Sequence, residues 1–406
     1  MLRLTRSQIQ PIGLDIGMDS IKMLQLEVTE GNLSVVAAAK HVMPEEVRNQ
    51  PELRLPVAMD AVKQMLRNGQ FSGRHLITSL PRDIVHVKNL RLPPMPPSDL
   101  EAAVEFESRN IFPEDINDPC VRFLPTGEVR QGSETRLEVI CLAAQQREIN
   151  TFVEQLHRTG CIIDSLDFEP SALYRGVERF IRRREDENEV HVLVDIGSRL
   201  SQVIIGKGRD ISFFKPIDIG SSQLQQDVSR KLGITIEEAR ALRRRIVESG
   251  PACDGEDNSD SVRQAVHDAT RSTIEELARE ISLCLRYYSV TFRGHRPGKV
   301  RLLGGEGGDA KLLATMNSVL PIPVEAGRPL ISVNTARMKQ SERRGFMGEW
   351  AVAFGLGLKS TRGYFGARDG RQREPGAPRN ETAEVIDLEK AVDGAAKSHA
   401  QESVHA

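Results

Sequence analysis

The stretch IGLDIGMDSIKMLQLE, residues 12–27, sets Asp15-Ile16-Gly17 at the end of an apolar run and starts a second run after Ser20-Ile21-Lys22. A second stretch, VLVDIGSRLSQVII, residues 192–205, repeats the plan with Asp195-Ile196-Gly197, 180 residues further on. Around the first, residues 12–16, 21–28 and 33–39 read as strands, with Glu30-Gly31-Asn32 as a turn. Around the second, residues 190–196, 202–205 and 211–214 read as strands, with a turn over 206–210. Three consecutive strands with Asp-Ile-Gly in the first turn, met twice, indicate an internal structural duplication.

The residue types in these turns point to chemistry. An aspartate at a strand end suits a hydrated Mg²⁺, which keeps several waters and takes one or two carboxylates. Gly17 and Gly197 allow backbone N–H groups to approach a phosphate closely. Lys22 adds a compact positive charge. Two such hairpins facing across a cleft would hold a phosphate chain from both sides. A third element, Gly304-Gly305-Glu306-Gly307-Gly308, lies between a strand over 300–303 and a helix over 309–320. It would receive a nucleoside beside a helix N-terminus. Each piece alone is an ordinary turn; their order in a duplicated frame carries the reading.

Elsewhere, strands are expected over 74–79, 85–90, 121–124, 135–144 and 164–168, and helices over 56–68, 99–110, 146–160 and 171–184. A proline cluster at 93–97 punctuates the chain, and Ser98 is positioned to cap the helix that follows. After the second hairpin, helices are expected over 222–232, 236–247 and 262–288, with a last apolar helix over 350–358. This alternation indicates an α/β fold. In residues 262–288, Ile274, Leu277, Ile281, Leu285 and Tyr288 recur at helical spacing, which reads as packing surface.

Composition narrows the function classes. With 55 Lys and Arg against 57 Asp and Glu, the net charge of −2 attracts neither nucleic acid nor acidic lipid. Arginine clusters at 182–184 and 243–245 read as solvated helix faces. The five cysteines, Cys120, Cys141, Cys161, Cys253 and Cys284, show no metal-type spacing and read as reduced thiols. No apolar stretch follows Arg3 and Arg6, and no run of about 20 apolar residues occurs, so a cytoplasmic protein is expected.

The order of hairpin 15–22, hairpin 195–201 and turn 304–308 resembles the actin-like ATPase superfamily, a duplicated RNase H-like fold of two lobes. Within it, the chain is similar to the PilM family of type IV pilus assembly proteins through DIGMDSIKMLQLE, EFESRNIFPEDI with Ile111-Phe112-Pro113, IDSLDFEPSAL, LQQDVSRKLGITIEEARAL and ELAREISLCLRYY. The resemblance spans roughly residues 11–360. It implies a first lobe over 9–91 with 164–185 and 345–360, and an inserted subdomain over 92–163. It implies a second lobe over 190–227 and 298–344, its helical subdomain over 228–297, and a disordered tail over 361–406. The implied cofactors are ATP and Mg²⁺. Nucleotide contacts would come from Asp15, Gly17, Ser20, Lys22, Asp195, Gly197, Ser198, Ser201, Gly304, Gly305 and Gly307. Asp15 and Asp195 would hold the metal largely through water, and Glu169, in Glu169-Pro170-Ser171-Ala172, would position an attacking water. The helix with Gly355 and Gly357 resembles the second interdomain helix.

The implied function is a cytoplasmic ATP-binding scaffold or switch at the inner membrane, with ATP hydrolysis slow at most. Its implied partner is the N-terminal peptide of a PilN-like membrane protein, held between the first lobe and the insert, together with other platform proteins. The chain departs from the family pattern at three places. Arg240 and Arg243 stand where a Glu-x-x-Lys pair is common, Glu306 sits inside the glycine turn, and Ser201 replaces a threonine. Three other readings compete. One is a nucleotide-free pseudo-ATPase, and another is a filament protein, though the acidic tail lacks a basic membrane anchor. The third is a sugar kinase using Asp164 or Asp167 as base.

Overall fold

A computed structural model describes residues 7–361 except 49, 113–117, 132–133, 250–256 and 293–295. Its strands are β1 (Ser7–Ile16), β2 (Ser20–Thr29), β3 (Asn32–Val42), β4 (His75–Ser79), β5 (His86–Leu92), β6 (Pro119–Gln131) and β7 (Glu134–Gln145). They continue as β8 (Ile162–Asp167), β9 (Val190–Ile196), β10 (Ser201–Lys207), β11 (Asp210–Ile217), β12 (Val300–Gly304) and β13 (Val324–Ala326). The helices are α1 (Glu45–Arg48), α2 (Pro51–Asn68), α3 (Pro97–Ile111), α4 (Gln146–Arg158) and α5 (Glu169–Glu178). After these come α6 (Ser221–Leu232), α7 (Ile236–Ser249), α8 (Asp257–Phe292), α9 (Ala310–Val319) and α10 (Ala351–Gly357).

Two sheets share one plan. The first has strand order β3-β2-β1-β4-β8 and the second β11-β10-β9-β12-β13. In each, three antiparallel strands are followed by a fourth strand parallel to the first and a fifth parallel to the fourth. The repeated strand–turn–strand signal is thus a true duplication of tertiary structure. β9, VHVLVDI, is buried along its whole length, including His191 and Asp195, as a strand covered on both faces is.

Element ends differ from the expectations wherever a partner decides them. β1 begins at Ser7, five residues before the apolar run, because Ser7–Ile9 pair with Glu27–Thr29 across a bulge at Gln10-Pro11. α3 starts at Pro97, whose fixed φ suits the first helical position, so Ser98 lies inside the helix and donates to Asp99. α5 stops at Glu178 and does not run to 184. Asp186 accepts the backbone N–H groups of Arg182 and Arg183, which turns the chain there. The last apolar helix, expected over 350–358, is regular over Ala351–Gly357 only.

β5, β7 and β6 form a separate three-stranded sheet, packed with α3 around Leu90, Leu92, Leu100, Val104, Val139 and Cys141. β5 enters this sheet by pairing with β7, ahead of the expected start of the insert at 92. α4 and β8 lie on the first lobe: Ile149, Phe152 and Leu156 join its core, and β8 pairs with β4. The sheet also meets the second lobe, where Arg91 donates to the Tyr287 hydroxyl at 2.6 Å. Residues 362–406, where a tail is expected, and Cys253 fall outside the described residues.

α5 and α10 cross in close contact. A Cβ on Gly355 would stand 1.8 Å from the Ala172 carbonyl oxygen, and Arg175 donates to the Gly355 carbonyl at 2.6 Å. Gly355→Ala is therefore expected to force the two helices apart and destabilise the protein by about 1–3 kcal/mol. Chemical denaturation checks this, and a midpoint equal to wild type would show that the crossing yields freely.

Candidate functional site

The two hairpins face each other across a cleft of about 500 Å³ between the lobes. In the first, Asp15 and Lys22 are directly opposed in register, and Lys22 Nζ donates to Asp15 Oδ2 at 3.1 Å. The turn closes through Gly17 N–H to the Ser20 carbonyl at 3.2 Å, and the second closes the same way, Gly197 N–H to the Leu200 carbonyl at 3.1 Å. A Cβ would come within 2.9 Å of carbonyl oxygen at Gly17 and 2.8 Å at Gly197. Both turns need glycine for that reason.

The second hairpin differs at one decisive position. The residue opposite Asp195 is Gln202, where the first hairpin has Lys22. Gln202 Nε2 donates to Glu169 Oε1 at 2.8 Å, and Asp195 makes no hydrogen bond or ion pair among the described residues. Burial, then the nearby charges of Glu169 and Asp15, push the Asp195 carboxyl up to about 7 against the pull of Arg82 and Lys22. Lys22 is also shifted up, but with the causes reversed: burial lowers its pKa, and Asp15, Glu349 and Asp195 outweigh burial and raise it. A buried carboxylate in no ion pair among the described residues is where a metal ion would be accommodated. Among the described residues, no three His, Cys, Asp or Glu side chains form a cage of their own. The two carboxylates that face the cleft, Asp15 and Asp195, are oxygen donors of the kind that fits Mg²⁺.

Glu169 opens α5 and lines the cleft. Arg82 grips it with both prongs, Nε to Oε2 at 2.7 Å and Nη2 to Oε1 at 2.5 Å. Arg82 sits in Pro81-Arg82-Asp83, which reads as an ordinary turn in sequence, and its role shows only in space.

Asp15, Gly17, Ser20, Lys22, Asp195, Gly197, Ser198, Gly304 and Gly305 all line the cleft, together with Glu169. Ser201 and Gly307 do not. The Ser201 side chain is fully buried and donates to the Ile219 carbonyl at 2.6 Å. Gly307 faces the backbone of Leu302, 2.8 Å from where its Cβ would be. Gly304 has φ +84° and lies against the Ile196 carbonyl, so the glycine there is structurally required.

The three departures noted in the sequence resolve into contacts. Arg243 is buried and pairs with Glu306 at 2.5 Å and Asp309 at 3.8 Å, while Asp309 caps α9. The cation on α7 and the carboxylate in the glycine turn are thus one ion pair, and Arg243 is not the solvated residue its charge run suggested. Arg240 reaches from α7 to the first lobe, pairing with Glu45 at 2.5 Å and Asp19 at 3.7 Å. Ser198 also donates to Asp19 at 3.0 Å, so both contacts cross the mouth of the cleft. Asp164 and Asp167 lie elsewhere. Asp164 pairs with His75, and Asp167 is buried against Arg175, so neither of these two carboxylates lines the cleft.

A smaller apolar concavity of about 190 Å³ lies where the first lobe, the three-stranded sheet and the second lobe meet. Val85, Val87, Leu142, Ile149, Phe168 and Phe214 supply its walls. No described helix is long and apolar enough to cross a membrane.

Residues 13–361 match the family model of the type IV pilus assembly protein PilM. A solved PilM-PilN type IV pilus biogenesis complex is similar at 20% identity and TM-score 0.69, covering 86% of this chain and 98% of that one. The ethanolamine utilization protein EutJ from Carboxydothermus hydrogenoformans is similar at 13% identity and TM-score 0.50, covering 86% and 89%. Together with the duplicated sheets these likenesses establish the two-lobed actin-like fold, and the extent of the family match places this chain in the type IV pilus assembly protein PilM family.

Proposed function

We propose that this protein is a nucleotide-binding scaffold of a type IV pilus or related secretion platform, one that docks the N-terminal peptide of a PilN-like inner-membrane protein. The observation that carries the nucleotide half is Asp195, buried and in no ion pair or hydrogen bond among the described residues, facing the Asp15–Lys22 pair between two matched hairpins. Asp15 and Asp195 would hold Mg²⁺ through water, Lys22 and the hairpin backbone would hold phosphate, and Gly304-Gly305 would lie against the nucleoside. ATP with Mg²⁺ supplies a multivalent anion whose charge the metal neutralises. Glu169 already accepts from Arg82 and Gln202, which favours a bound state over rapid turnover. The peptide half is supported by the likeness to the PilM-PilN complex and by the apolar concavity between the first lobe and the three-stranded sheet. Such a scaffold sits in the cytoplasm and reaches the inner membrane through its partner, alongside other platform proteins.

Titration with a fluorescent ATP analogue, with and without Mg²⁺, tests this. Asp15→Ala is expected to weaken Mg²⁺-dependent binding by about tenfold to a hundredfold, the range for disturbing a metal's supporting carboxylate. Equal affinity in the variant would remove Asp15 from the site. No binding by the wild type would leave the pseudo-ATPase scaffold as the better account.

A further inference from the structure

The nucleotide cleft and the apolar concavity share a wall made of Leu80, Arg82, Glu169 and Leu200. Its polar part is the Arg82–Glu169 pair. Three elements of the two lobes meet there: Arg82 follows β4 and Glu169 begins α5 in the first lobe, and Gln202 on β10 of the second lobe holds the same carboxylate. Arg82 donates through Nε and Nη2, and Nη1 has no acceptor among the described residues. A guanidinium with a spare N–H at the edge of an apolar pocket suits an extended peptide. The peptide's apolar side chain would enter the pocket and its backbone carbonyl would accept from Arg82.

We propose that Arg82 is a positioning residue coupling the two sites: a peptide in the apolar concavity draws on the Arg82 guanidinium, loosens its grip on Glu169, and tightens Mg²⁺-nucleotide binding in the cleft. This rests on the two-site reading above. The direction follows from charge. Glu169 shares the cleft with Asp15 and Asp195, and an incompletely neutralised Glu169 adds negative potential where the cation sits. By linkage, Mg²⁺-nucleotide must tighten peptide binding by the same factor. Arg82, not Glu169, is the better place to break the link, because Lys at 82 keeps the charge while losing the two-pronged grip.

The test measures the affinity of full-length protein for Mg²⁺ with a fluorescent ATP analogue, alone and with saturating synthetic peptide of the cognate PilN-like N-terminus. The ratio of the two affinities isolates the coupling, whatever a substitution does to either ligand alone. The wild type is expected to show a ratio of about fivefold or more, falling towards one in both Arg82→Lys and Arg82→Gln. The Lys variant keeps the test open if Arg82→Gln does not fold. A wild-type ratio of one or below, with both ligands bound, overturns the coupling and leaves both sites standing. So does a ratio retained in the Lys variant. If the wild type fails to bind nucleotide or peptide, the two-site reading falls, and the coupling falls with it.

Discussion

Arg243→Met alone is expected to lower the unfolding free energy by about 3–5 kcal/mol, the usual result of leaving one partner of a buried ion pair behind. Arg243 is 2% exposed, and without it Glu306 and the α9 cap Asp309 would be buried carboxylates with no ion-pair partner among the described residues. The pair is not ideal in itself. Arg243 Nε and Nη1 have no acceptor among the described residues, so part of the guanidinium was desolvated without compensation. Removing both charges is therefore expected to hurt less than removing one. In Arg243→Met combined with Glu306→Gln, most of the lost stability should return. Urea denaturation of the wild type, both single variants and the double variant gives the coupling directly. If the double variant is as unstable as the sum of the singles, the ion pair is not what ties the glycine turn to α7.

Asp195→Asn is expected to have opposite effects on stability and on metal binding. The Asp195 carboxyl is held near 7 by burial, then by Glu169, well above its ordinary value of 3.8. A raised carboxyl pKa means that the fold prefers the neutral form. Its contribution to stability is full below the unfolded value, is lost as pH rises from about 4 to about 7, and is level above that. The wild type without metal should thus lose about 2–4 kcal/mol relative to Asp195→Asn across that window, because each pKa unit is worth about 1.4 kcal/mol. Denaturation of both proteins at pH 4, 7 and 8.5 reads the difference, and a gap that does not widen with pH would show that Asp195 is solvated. Mg²⁺-dependent nucleotide binding runs the other way. It needs the ionised carboxylate, should strengthen in the wild type as pH rises through about 7, and should be lost in the variant.

Short-range and long-range interactions leave different marks on a chain. The strand–turn–strand units, their duplication and the cleft between them could be read from residues 12–27 and 192–205 alone. Continuous apolar runs for strands covered on both faces, and the steric demands of Gly17 and Gly197, act within a few residues, so they leave a mark in local sequence. The long apolar stripe of α8 was legible for the same reason. Where partners lie far apart, the sequence was silent. Arg82 meets Glu169 across 87 positions, and Arg243 meets Glu306 across 63, so neither pair has a spacing to recognise. Ser201, which the family resemblance implied as a nucleotide contact, turns its hydroxyl to the Ile219 carbonyl, a choice made by packing.

By itself, then, the sequence determined the duplicated α/β frame, the paired aspartates at the two strand ends and the glycine turn, since each follows from local periodicity and backbone sterics. Only the tertiary structure decided which charges neutralise which. It set Gln202 opposite Asp195 where Lys22 faces Asp15, gave β5 to the three-stranded sheet, and put Arg82 between the cleft and the apolar pocket. Ion pairing and strand pairing are selected by distance in space, and a linear chain carries no record of that distance until it folds.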